Sequence, residues 1–464
     1  MRERIRSALG KDPVLGRVFD LARRRGERVW LVGGTLRDLA LGLPSADLDL
    51  AADHPWEMAS AAAADLGGKV VSLGKESVPT YRIPLHGHHL DWVGLQGGEI
   101  RKDLKRRDFT IDAMAYDHQE DCVLDPFGGL KDLEARALRA VSRETFSDDP
   151  LRVVKAFRLE AQLPGFALTL DTRAQLEAGR AGLVDVPAER IRAEIELLLD
   201  CPAPGAALRD MHAAGVLTLL FPELRPLEGL TQNRFHHADV LEHTFQALEN
   251  LDAPAEPLGA LGLPSDGAMD WVTLRLAALF HDTGKALTRT VDESGEVHFY
   301  GHPRSSAELA RQALRRLRFS GDRTGAVAEL CLHHLRPLAL LKTAPRRTAL
   351  RRLIHDLGPR LPLLLALAWA DKGASRGEDH ARNLEELAAF IREAGEVARA
   401  EGERLLRLPK LVDGLEALDI LKLSRPGPEL GRALDALLEK QVEGEVSSRD
   451  QALAFLKGWA ARRT

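Results

Sequence analysis

Two carboxylates stand two residues apart in Asp47-Leu48-Asp49, inside a stretch that alternates polar and apolar residues. Because side chains alternate across a β-strand, residues i and i+2 point to the same face, so both carboxylates would share one side of a predicted strand. Paired oxygen ligands suit Mg²⁺, and two such ions about 3.5–4 Å apart can activate an attacking hydroxyl and stabilise a leaving pyrophosphate. The spacing indicates a magnesium site, with a solvated strand face as the alternative.

The segment just upstream has the composition of a phosphate-binding turn. Gly33 and Gly34 follow an apolar run and open a predicted helix, so that backbone N–H groups could approach a phosphate. Arg37 lies in the first turn of that helix and would add a cationic partner. Further along the chain, Asp91 lies in the strand-like run 89–93 and is a candidate third carboxylate.

The elements that must position these residues follow from the apolar spacing. Residues 28–50 are predicted to form a strand, a helix and a second strand. Further strand-like runs lie at 69–73, 81–85, 89–93, 111–117 and 121–124. After about residue 140 the apolar spacing becomes three to four residues, which predicts helices almost throughout. Clusters of proline and glycine mark joints near 202–205, 222–229 and 254–267.

Composition limits the class of protein. The chain has 464 residues, of which 45% are apolar, enough for the cores of two to four domains. This excludes a disordered tail protein. Lys and Arg total 64 against 69 Asp and Glu, a formal net charge of −5, which excludes a histone-like binder. A nucleic-acid partner would therefore meet local basic patches.

Cysteine usage and hydropathy indicate a cytoplasmic protein. The three cysteines, Cys122, Cys201 and Cys331, show no CxxC spacing, which argues against a disulfide or zinc-finger framework. The N-terminal residues have no apolar core of the kind found in a signal peptide. The most apolar run, Leu361–Ala370, is about half a membrane span and contains Pro362, so we expect no membrane insertion.

A longer series of motifs carries a family resemblance. Besides GGxxRD at 33–38 and DxD at 47–49, the series comprises RRDFTIDAMA at 106–115, DPFGG at 125–129, DDPLR at 148–152 and ERIRAE at 189–194. On these motifs, residues 28 to about 200 resemble the class II tRNA nucleotidyltransferase and poly(A) polymerase family. The resemblance implies a nucleotidyltransferase head that adds nucleotides to an RNA 3′ end with Mg²⁺.

The resemblance also implies a role for individual residues. Asp47 and Asp49 would hold the metal, supported by Asp91 as the third catalytic carboxylate. The implied nucleotide-binding residues are Gly33, Gly34, Arg37, Arg106, Arg107, Asp108, Asp149, Arg152, Arg158 and Arg190. Five of the seven residues from 101 to 107 are basic, which suits phosphate neutralisation or an ordinary solvated loop.

Asp149 and Arg152 form the candidate base-reading pair. They are three residues apart at a predicted helix start and therefore face the same side. A carboxylate can accept from the amino group of C or A, while a guanidinium donates to the adjacent ring atom; G and U carry a carbonyl in place of that amine. The pair therefore predicts selection of CTP and ATP. The alternative is that Asp148 or Asp149 only caps the helix before Pro150.

The chain departs from the family pattern at several points. Asp112 stands where Asn is usual, and Asp148 where Glu is common. The segment between Asp91 and Ile100 is shorter than the flexible loop of many CCA-adding members and resembles that of CC-adding relatives. Addition of CCA or of CC alone therefore stays open. The residues around 74–77 do not match the basic motif of bacterial poly(A) polymerases, which makes poly(A) synthesis a less favoured alternative.

Histidines and aspartates form an ordered series in the second half of the chain. In chain order they are His243, His281, Asp282, His302, His333, His334 and Asp371. Imidazole and carboxylate ligands suit a divalent transition metal whose bound water attacks a phosphate ester. Residues 236–380 resemble the HD domain of some bacterial tRNA nucleotidyltransferases, which is associated with phosphatase and 2′,3′-cyclic phosphodiesterase activity. The implied metal ligands are His243, His281, Asp282 and Asp371.

Two histidine positions in this series are additional candidate ligands. His302 is one, and either His333 or His334 is the other. A purely structural HD fold is the alternative.

The predicted fold class is an α+β nucleotidyltransferase head followed by all-α neck, HD and tail regions. The predicted domains are a catalytic head at 1–140, a neck with base-recognition and RNA-binding segments at 141–235, an HD domain at 236–380 and a helical tail at 381–464. The predicted partners are tRNA, CTP and ATP, with Mg²⁺ in the head and a transition-metal ion in the HD domain. A rival from another class is an HD phosphohydrolase with a regulatory nucleotide-binding head.

Two arginine clusters at helical spacing could follow tRNA phosphates. They comprise Arg311, Arg315, Arg316 and Arg318, and Arg346, Arg347, Arg351 and Arg352. A solvated helix face is the alternative for each cluster.

Overall fold

The computed structural model describes residues 1–44, 47–75, 78–85, 87–95, 98–231, 239–252, 256–264, 269–342, 346–375 and 379–462. The contacts between residues group the chain into two compact units. The first contains residues 1–198 with 213–216, and the second contains 199–212 with 217–464.

The first unit is built on a seven-stranded sheet with the order β3-β4-β5-β2-β1-β6-β7. Its strands are β1 (Val29–Val32), β2 (Asp47–Ala52), β3 (Val71–Lys75), β4 (Val78–Leu85), β5 (His88–Gly94), β6 (Ala115–Asp117) and β7 (Cys122–Leu124). Strands β2 and β5 pair in parallel, and Asp49 lies opposite Asp91. Strand β4 runs antiparallel to β5, with Arg82 opposite Asp91. This register places the three side chains on one face of the sheet.

Helices surround this sheet and continue beyond it. They are α1 (Arg2–Leu9), α2 (Pro13–Arg25), α3 (Gly34–Leu41), α4 (Pro55–Leu66), α5 (Ile100–Lys105), α6 (Gly129–Ala135), α7 (Thr145–Asp148), α8 (Arg152–Gln162), α9 (Leu170–Gly179) and α10 (Ala188–Asp200). Strands β8 (Ala137–Leu138) and β9 (Ala167–Leu168) form a short parallel pair. In helix α2 the local sequence sets both ends. The Asp12 carboxylate accepts from the amides of Val14 and Leu15 at the start, and Gly26 ends the helix in the left-handed conformation.

Among its described residues, the second unit has helices and one small hairpin as its regular structure. Its helices are α11 (Gly205–Ala213), α12 (Leu217–Leu220), α13 (Val240–Glu249), α14 (Glu256–Ala260), α15 (Trp271–Phe280), α16 (Lys285–Thr288), α17 (His302–Arg316), α18 (Gly321–His333), α19 (Arg336–Leu340), α20 (Arg346–Leu357), α21 (Leu361–Ala374), α22 (His380–Leu406), α23 (Gly414–Ile420), α24 (Pro428–Glu443) and α25 (Arg449–Ala461). The hairpin joins β10 (Thr290–Val291) to β11 (Val297–His298).

The most apolar run of the sequence is the helix α21, which is buried along most of its length. It packs against α13 and α15 in the core of the second unit. Core burial thus accounts for its composition. No helix in the part of the chain that the structure describes is long and apolar enough to cross a membrane.

The predicted fold class is confirmed, since a mixed sheet with helices is followed by helical regions. One predicted strand, 111–117, is wrong in its first half. Thr110–Asp112 forms a 3₁₀ turn, and the strand begins only at Ala115. A residue distant in the sequence stabilises this turn, because the Thr110 hydroxyl donates to Asp132 Oδ2 at 2.7 Å. Tertiary contacts therefore override the apolar pattern.

The domain boundaries stay predictions. The one near 235 falls among residues 232–238, which lie outside the described residues, as do 253–255 and 265–268 of the predicted joint at 254–267.

Members of both arginine clusters make ion pairs that tie helices together. Arg347 and Arg351 on α20 both contact Glu401 on α22, at 2.6 and 2.8 Å. Hydrogen bonds from Arg351 help to lower the Glu401 pKa to about 2. Arg346 pairs with Glu393 and Arg352 with Glu443, and Arg316 pairs with Glu223 at 2.6 Å. These ion pairs account for the helical spacing of the arginines, and the predicted phosphate contacts of both clusters stay a prediction.

Candidate functional site

Three carboxylates face one another on the sheet of the first unit. Asp47 and Asp49 lie on β2, and Asp91 lies opposite Asp49 on β5. Burial raises the pKa of the Asp49 carboxyl to about 6; Arg107 opposes this shift, while Asp91 and Asp47 add to it. A buried carboxylate beside two others favours a bound cation, and an all-oxygen donor set fits Mg²⁺.

Arg82 on β4 holds the third carboxylate. Its Nε donates to Asp91 Oδ1 at 2.8 Å and its Nη2 donates to Oδ2 at 2.6 Å. Such a bidentate pair fixes both position and orientation. The sequence analysis missed Arg82, because its relation to Asp91 depends on the register of the β4–β5 pair.

The glycine turn lies directly against this carboxylate face. Gly33 has φ 73° and ψ −148°, a conformation essentially restricted to glycine. A Cβ at Gly33 would lie 2.9 Å from Asp49 Oδ2 and 2.8 Å from Arg107 Nη1. The Thr35 hydroxyl donates to the Asp47 carbonyl at 3.0 Å and accepts from the Asp49 amide at 3.1 Å. The start of α3 and the carboxylate strand are therefore fixed to each other.

A cavity of about 410 Å³ opens beside Asp49. This volume lies within the range of about 300–1,000 Å³ typical of small-molecule sites. Its lining comprises Gly34, Asp49, Val93, Gly94, Asp103, Arg106, Arg107, Asp108, Asp112, Arg152 and Lys155. The four cationic side chains in this lining suit the charge of a triphosphate.

Lys155 is a cationic residue that the sequence analysis missed. It forms an ion pair with Asp108, whose pKa falls to about 2 because Lys155 outweighs the effect of burial. Lys155 follows Arg152 by three residues on α8, so both lie on the same face of that helix. That spacing is the signal that could have revealed it.

Arg37 lies in a different environment from the one expected. Its Nε donates to Asp38 at 2.9 Å and its Nη1 donates to Asp112 at 2.8 Å. Only 7% of its side chain is exposed. The guanidinium forms a buried ion pair that also uses Asp112, the residue that stands where the family has Asn, and its phosphate contact stays a prediction.

Neighbouring residues hold both members of the candidate base-reading pair, Asp149 and Arg152. Asp149 Oδ2 accepts from Arg190 Nη2 at 2.8 Å, and Oδ1 accepts from the Leu151 amide at 3.3 Å. Arg152 donates from Nη1 to the Thr145 carbonyl at 3.1 Å and from Nη2 to the Arg106 carbonyl at 2.6 Å. The structure thus brings together Asp149 with Arg190, and Arg152 with Arg106.

Arg158 contacts a different set of side chains. Its Nε donates to Glu194 Oε2 and its Nη1 to Gln162 Oε1, both at 2.7 Å. These contacts give it a structural role that connects α8 with α10.

The second unit contains a buried cluster of histidines and aspartates. Among the described residues, two buried groups have ligand atoms within 4.8 Å of one another: His243 with His281 and Asp371, and Asp282 with His302 and His334. All six are buried. The structure therefore provides candidate metal-binding groups, and His334 rather than His333 belongs to the cluster.

The turn after α15 brings these ligands together. Gly284 packs against the start of α17, where an added Cβ would lie 2.3 Å from the His302 carbonyl oxygen. The Gly284 amide also donates to Ser306 Oγ at 2.8 Å. Burial lowers the pKa of His281, but the Asp282 and Asp371 carboxylates outweigh it and raise this pKa to about 10. The cluster therefore attracts positive charge.

Comparison with known proteins identifies the family. Residues 29–139 match the family described as the Poly A polymerase head domain, residues 165–227 the probable RNA and SrmB-binding site of polymerase A, and residues 240–374 the HD domain. The A-adding tRNA nucleotidyltransferase of Deinococcus radiodurans is 37% identical over 93% of this chain and 95% of its own length. The chain belongs to the tRNA nucleotidyltransferase family.

Further comparisons agree with this family. The CC-adding tRNA nucleotidyltransferase of Thermus thermophilus is also 37% identical, over 93% of this chain and 94% of its own. The structure of the Thermotoga maritima CCA-adding enzyme complexed with tRNA shares the fold, with a TM-score of 0.61 at 20% identity over 98% of each chain. The family resemblance predicted from the motifs is confirmed.

Replacement of Gly33 by alanine tests the packing of the glycine turn. The new Cβ would displace Asp49 or Arg107, so we expect nucleotide incorporation into tRNA to fall on the order of a hundredfold. Gly42→Ala is the matched control, because Gly42 ends the same helix at φ 75° with open space around it. Equal losses of activity in the two variants would contradict this account.

The Asp49 pKa predicts a pH dependence. Arg107 lowers this pKa, so Arg107→Gln raises it, and a protonated carboxyl no longer holds a cation. With limiting Mg²⁺, we expect the acid limb of the pH–rate profile of incorporation to move to higher pH by about one unit. Arg106→Gln, in the same cavity lining, is the control and should lower the rate without moving the limb. An unshifted limb in Arg107→Gln would count against the assignment.

Proposed function

We propose that this protein adds nucleotides of the CCA sequence to the 3′ end of tRNA from CTP and ATP, without a nucleic-acid template. The observation that carries the proposal is the cavity in which Asp49 meets the cationic side chains of Arg106, Arg107, Arg152 and Lys155. It combines a carboxylate face for a metal with partners for a triphosphate. The proposed substrate, and three cysteines that form no disulfide, support a cytoplasmic location.

Each group of residues in the head has its own proposed role in nucleotidyl transfer. Asp47 and Asp49 would hold Mg²⁺, while Arg82 keeps Asp91 beside them. When bound, the ion would favour ionisation of the attacking RNA 3′-hydroxyl and neutralise charge on the triphosphate. The hydroxyl oxygen bonds to the α-phosphorus, and the bond from that phosphorus to the pyrophosphate oxygen breaks. Arg107 and Lys155 stabilise the charge of the triphosphate.

Asp149 and Arg152 are proposed to select the base. An acceptor beside a donor fork suits the amine edge shared by C and A, so a single pair serves both nucleotides. The contact from Arg190 orients the Asp149 carboxylate.

Addition of only part of CCA is the second candidate. It is favoured by the short segment between Asp91 and Ile100, of which residues 96 and 97 lie outside the described residues. The relatives with equal identity, one A-adding and one CC-adding, also favour it.

The HD domain is proposed to hydrolyse phosphate esters with a bound transition-metal ion. The buried groups of imidazole and carboxylate ligands support this role, because their donor atoms suit such ions. The proposed activities of the head and of the HD domain would use different residues.

Incorporation assays test the proposed reaction. tRNA transcripts ending at the discriminator base, at C and at CC would receive CTP, ATP or both with Mg²⁺, and product lengths would be measured on gels. We expect the proposed CCA enzyme to complete every transcript. Addition of two cytidines with no extension of the CC-ended transcript by A indicates a CC-adding enzyme. Extension of only the CC-ended transcript by A indicates an A-adding enzyme, and long A tails indicate a poly(A) polymerase.

Variants of the strand β2 connect this reaction to the carboxylates. Asp49→Ala should lower incorporation by at least about a thousandfold, because the metal site is lost. Asp53→Ala is the matched control, since Asp53 is an exposed aspartate just after β2 and lines no part of the cavity. Undiminished incorporation by Asp49→Ala would overturn the assignment of the head.

Base choice gives a separate prediction. In Asp149→Asn, an amide replaces an acceptor-only carboxylate and can also donate to the carbonyl of U or G. We expect discrimination against UTP to weaken by roughly 1–3 kcal/mol, or about 5- to 150-fold in relative kcat/KM. The exposed Asp148 provides the control variant Asp148→Asn. Unchanged selectivity in Asp149→Asn would assign base choice to other residues.

A further inference from the structure

Another cavity opens between the C-terminal helices α24 and α25 of the second unit. Its volume is about 280 Å³, and its lining comprises Glu429, Arg432, Trp459 and Arg462. Glu429 and Arg432 are three residues apart on α24, and Trp459 on α25 is three residues before Arg462, which caps that helix. Residues with this spacing share one helix face. Each helix therefore presents two side chains to this C-terminal cavity.

Trp459 gives the C-terminal cavity an aromatic wall. Its side chain is partly buried and packs against the apolar core formed by the C-terminal helices. The centroid of its ring lies 6.1 Å from that of Phe455, which precedes it by one turn on α25. A held aromatic ring suits stacking with a nucleobase, because every base has a π face.

The two arginines of the lining are cations without an acidic partner in the part of the chain that the structure describes. A neighbouring arginine differs, since Arg449 pairs with Glu416 at 2.6 Å. A planar guanidinium binds phosphate through parallel hydrogen bonds. Arg432 and Arg462 therefore suit the phosphate group of a ligand.

Glu429 adds a negative charge to the same lining. A site for phosphate alone would be weakened by this charge. A carboxylate only accepts hydrogen bonds, so it suits a ligand that also carries a donor. The bases A, C and G carry an exocyclic amine, and U does not. The lining thus combines the contacts that a nucleotide with an amine-bearing base requires.

A glycine inside α25 leaves space beside the tryptophan. Gly458 precedes Arg462 by four residues and therefore lies on the same face of the helix. A Cβ at Gly458 would meet no atom within 4 Å besides its chain neighbours and its own helix backbone. Packing within the described chain thus does not require glycine there, although glycine destabilises a helix interior relative to alanine. The open space is available to a ligand.

We propose that the C-terminal cavity binds one nucleotide whose base carries an exocyclic amine, supplied by a residue of the tRNA or by a free nucleotide. The base stacks on Trp459 and donates to Glu429, and the phosphate lies against Arg432 and Arg462. The site goes beyond the proposed transfer and hydrolysis reactions, because its residues belong neither to the cavity beside Asp49 nor to the histidine cluster.

The fluorescence of Trp459 provides the test, because a stacked base quenches indole emission. The chain has six tryptophans, so the contribution of Trp459 is the difference between the full chain and its Trp459→Phe variant. One arm of the experiment titrates AMP, CMP, GMP and UMP. The other arm titrates a tRNA transcript that lacks CCA, and both arms contain no divalent metal.

We expect saturable quenching of Trp459 in at least one arm. Quenching by AMP and CMP, with a response to UMP at least about fivefold weaker in affinity, identifies a free nucleotide. Quenching by the tRNA transcript alone identifies an RNA residue. Equal affinities for CMP and UMP would overturn the assignment of an amine-bearing base to Glu429.

Variants that keep Trp459 locate the bound base. The pair Arg432→Gln and Arg462→Gln should weaken the affinity measured by quenching about tenfold. Gly458→Leu should abolish quenching by filling the space while it favours the helix. Arg425→Gln is the matched control, since Arg425 is an exposed arginine that lines no part of the cavity, and it should keep the affinity.

Two results would overturn the proposal. One is the absence of Trp459 quenching in both arms. The other is quenching that Gly458→Leu and the double arginine variant leave unchanged, because the base would then lie elsewhere. Circular dichroism of each variant checks that the helices remain folded. Incorporation of CTP into tRNA by the same preparations tests the proposed function of the head separately.

Discussion

The parallel pairing of β2 with β5 is the constraint on which the head depends. It places Asp49 opposite Asp91 and gathers like charges on one face of the sheet. Like charges at low dielectric are costly unless cations accompany them. The positive charges of Arg82, Arg107 and the cationic side chains of the cavity offset this cost.

The second unit also gathers charged and polar side chains, but from helices. There, carboxylates and imidazoles converge from several helices, and backbone carbonyls fix the protons on the outer ring nitrogens. The Gly284 turn makes this convergence possible, because a side chain there would collide with α17. Both sites are assembled by close approach of backbone, with glycine at the point of contact.

Sequence reasoning succeeded where the information was local. The alternation of Asp47 and Asp49 predicts a shared face from strand geometry alone, and the family motifs predict the fold class. It failed where the answer depends on distant partners. Arg37 pairs with Asp112, 75 residues away, and Arg82 meets Asp91 only through strand register. The choice of His334 over His333 depends on the direction in which α18 ends, which spacing does not determine.

The arginine clusters show the same limit. Helical spacing correctly places Arg347 and Arg351 on one face, but it contains no information about the partner helix that carries Glu401.

The Thr35 hydroxyl, which joins Asp47 to Asp49 through the backbone, has a consequence for how such enzymes diversify. It makes the glycine turn and the carboxylate strand one rigid block. Asp149 and Arg152 lie outside that block, Asp149 just after α7 and Arg152 at the start of α8. The proposed base contacts of Asp149 can therefore change while the glycine turn and the carboxylate strand keep their geometry.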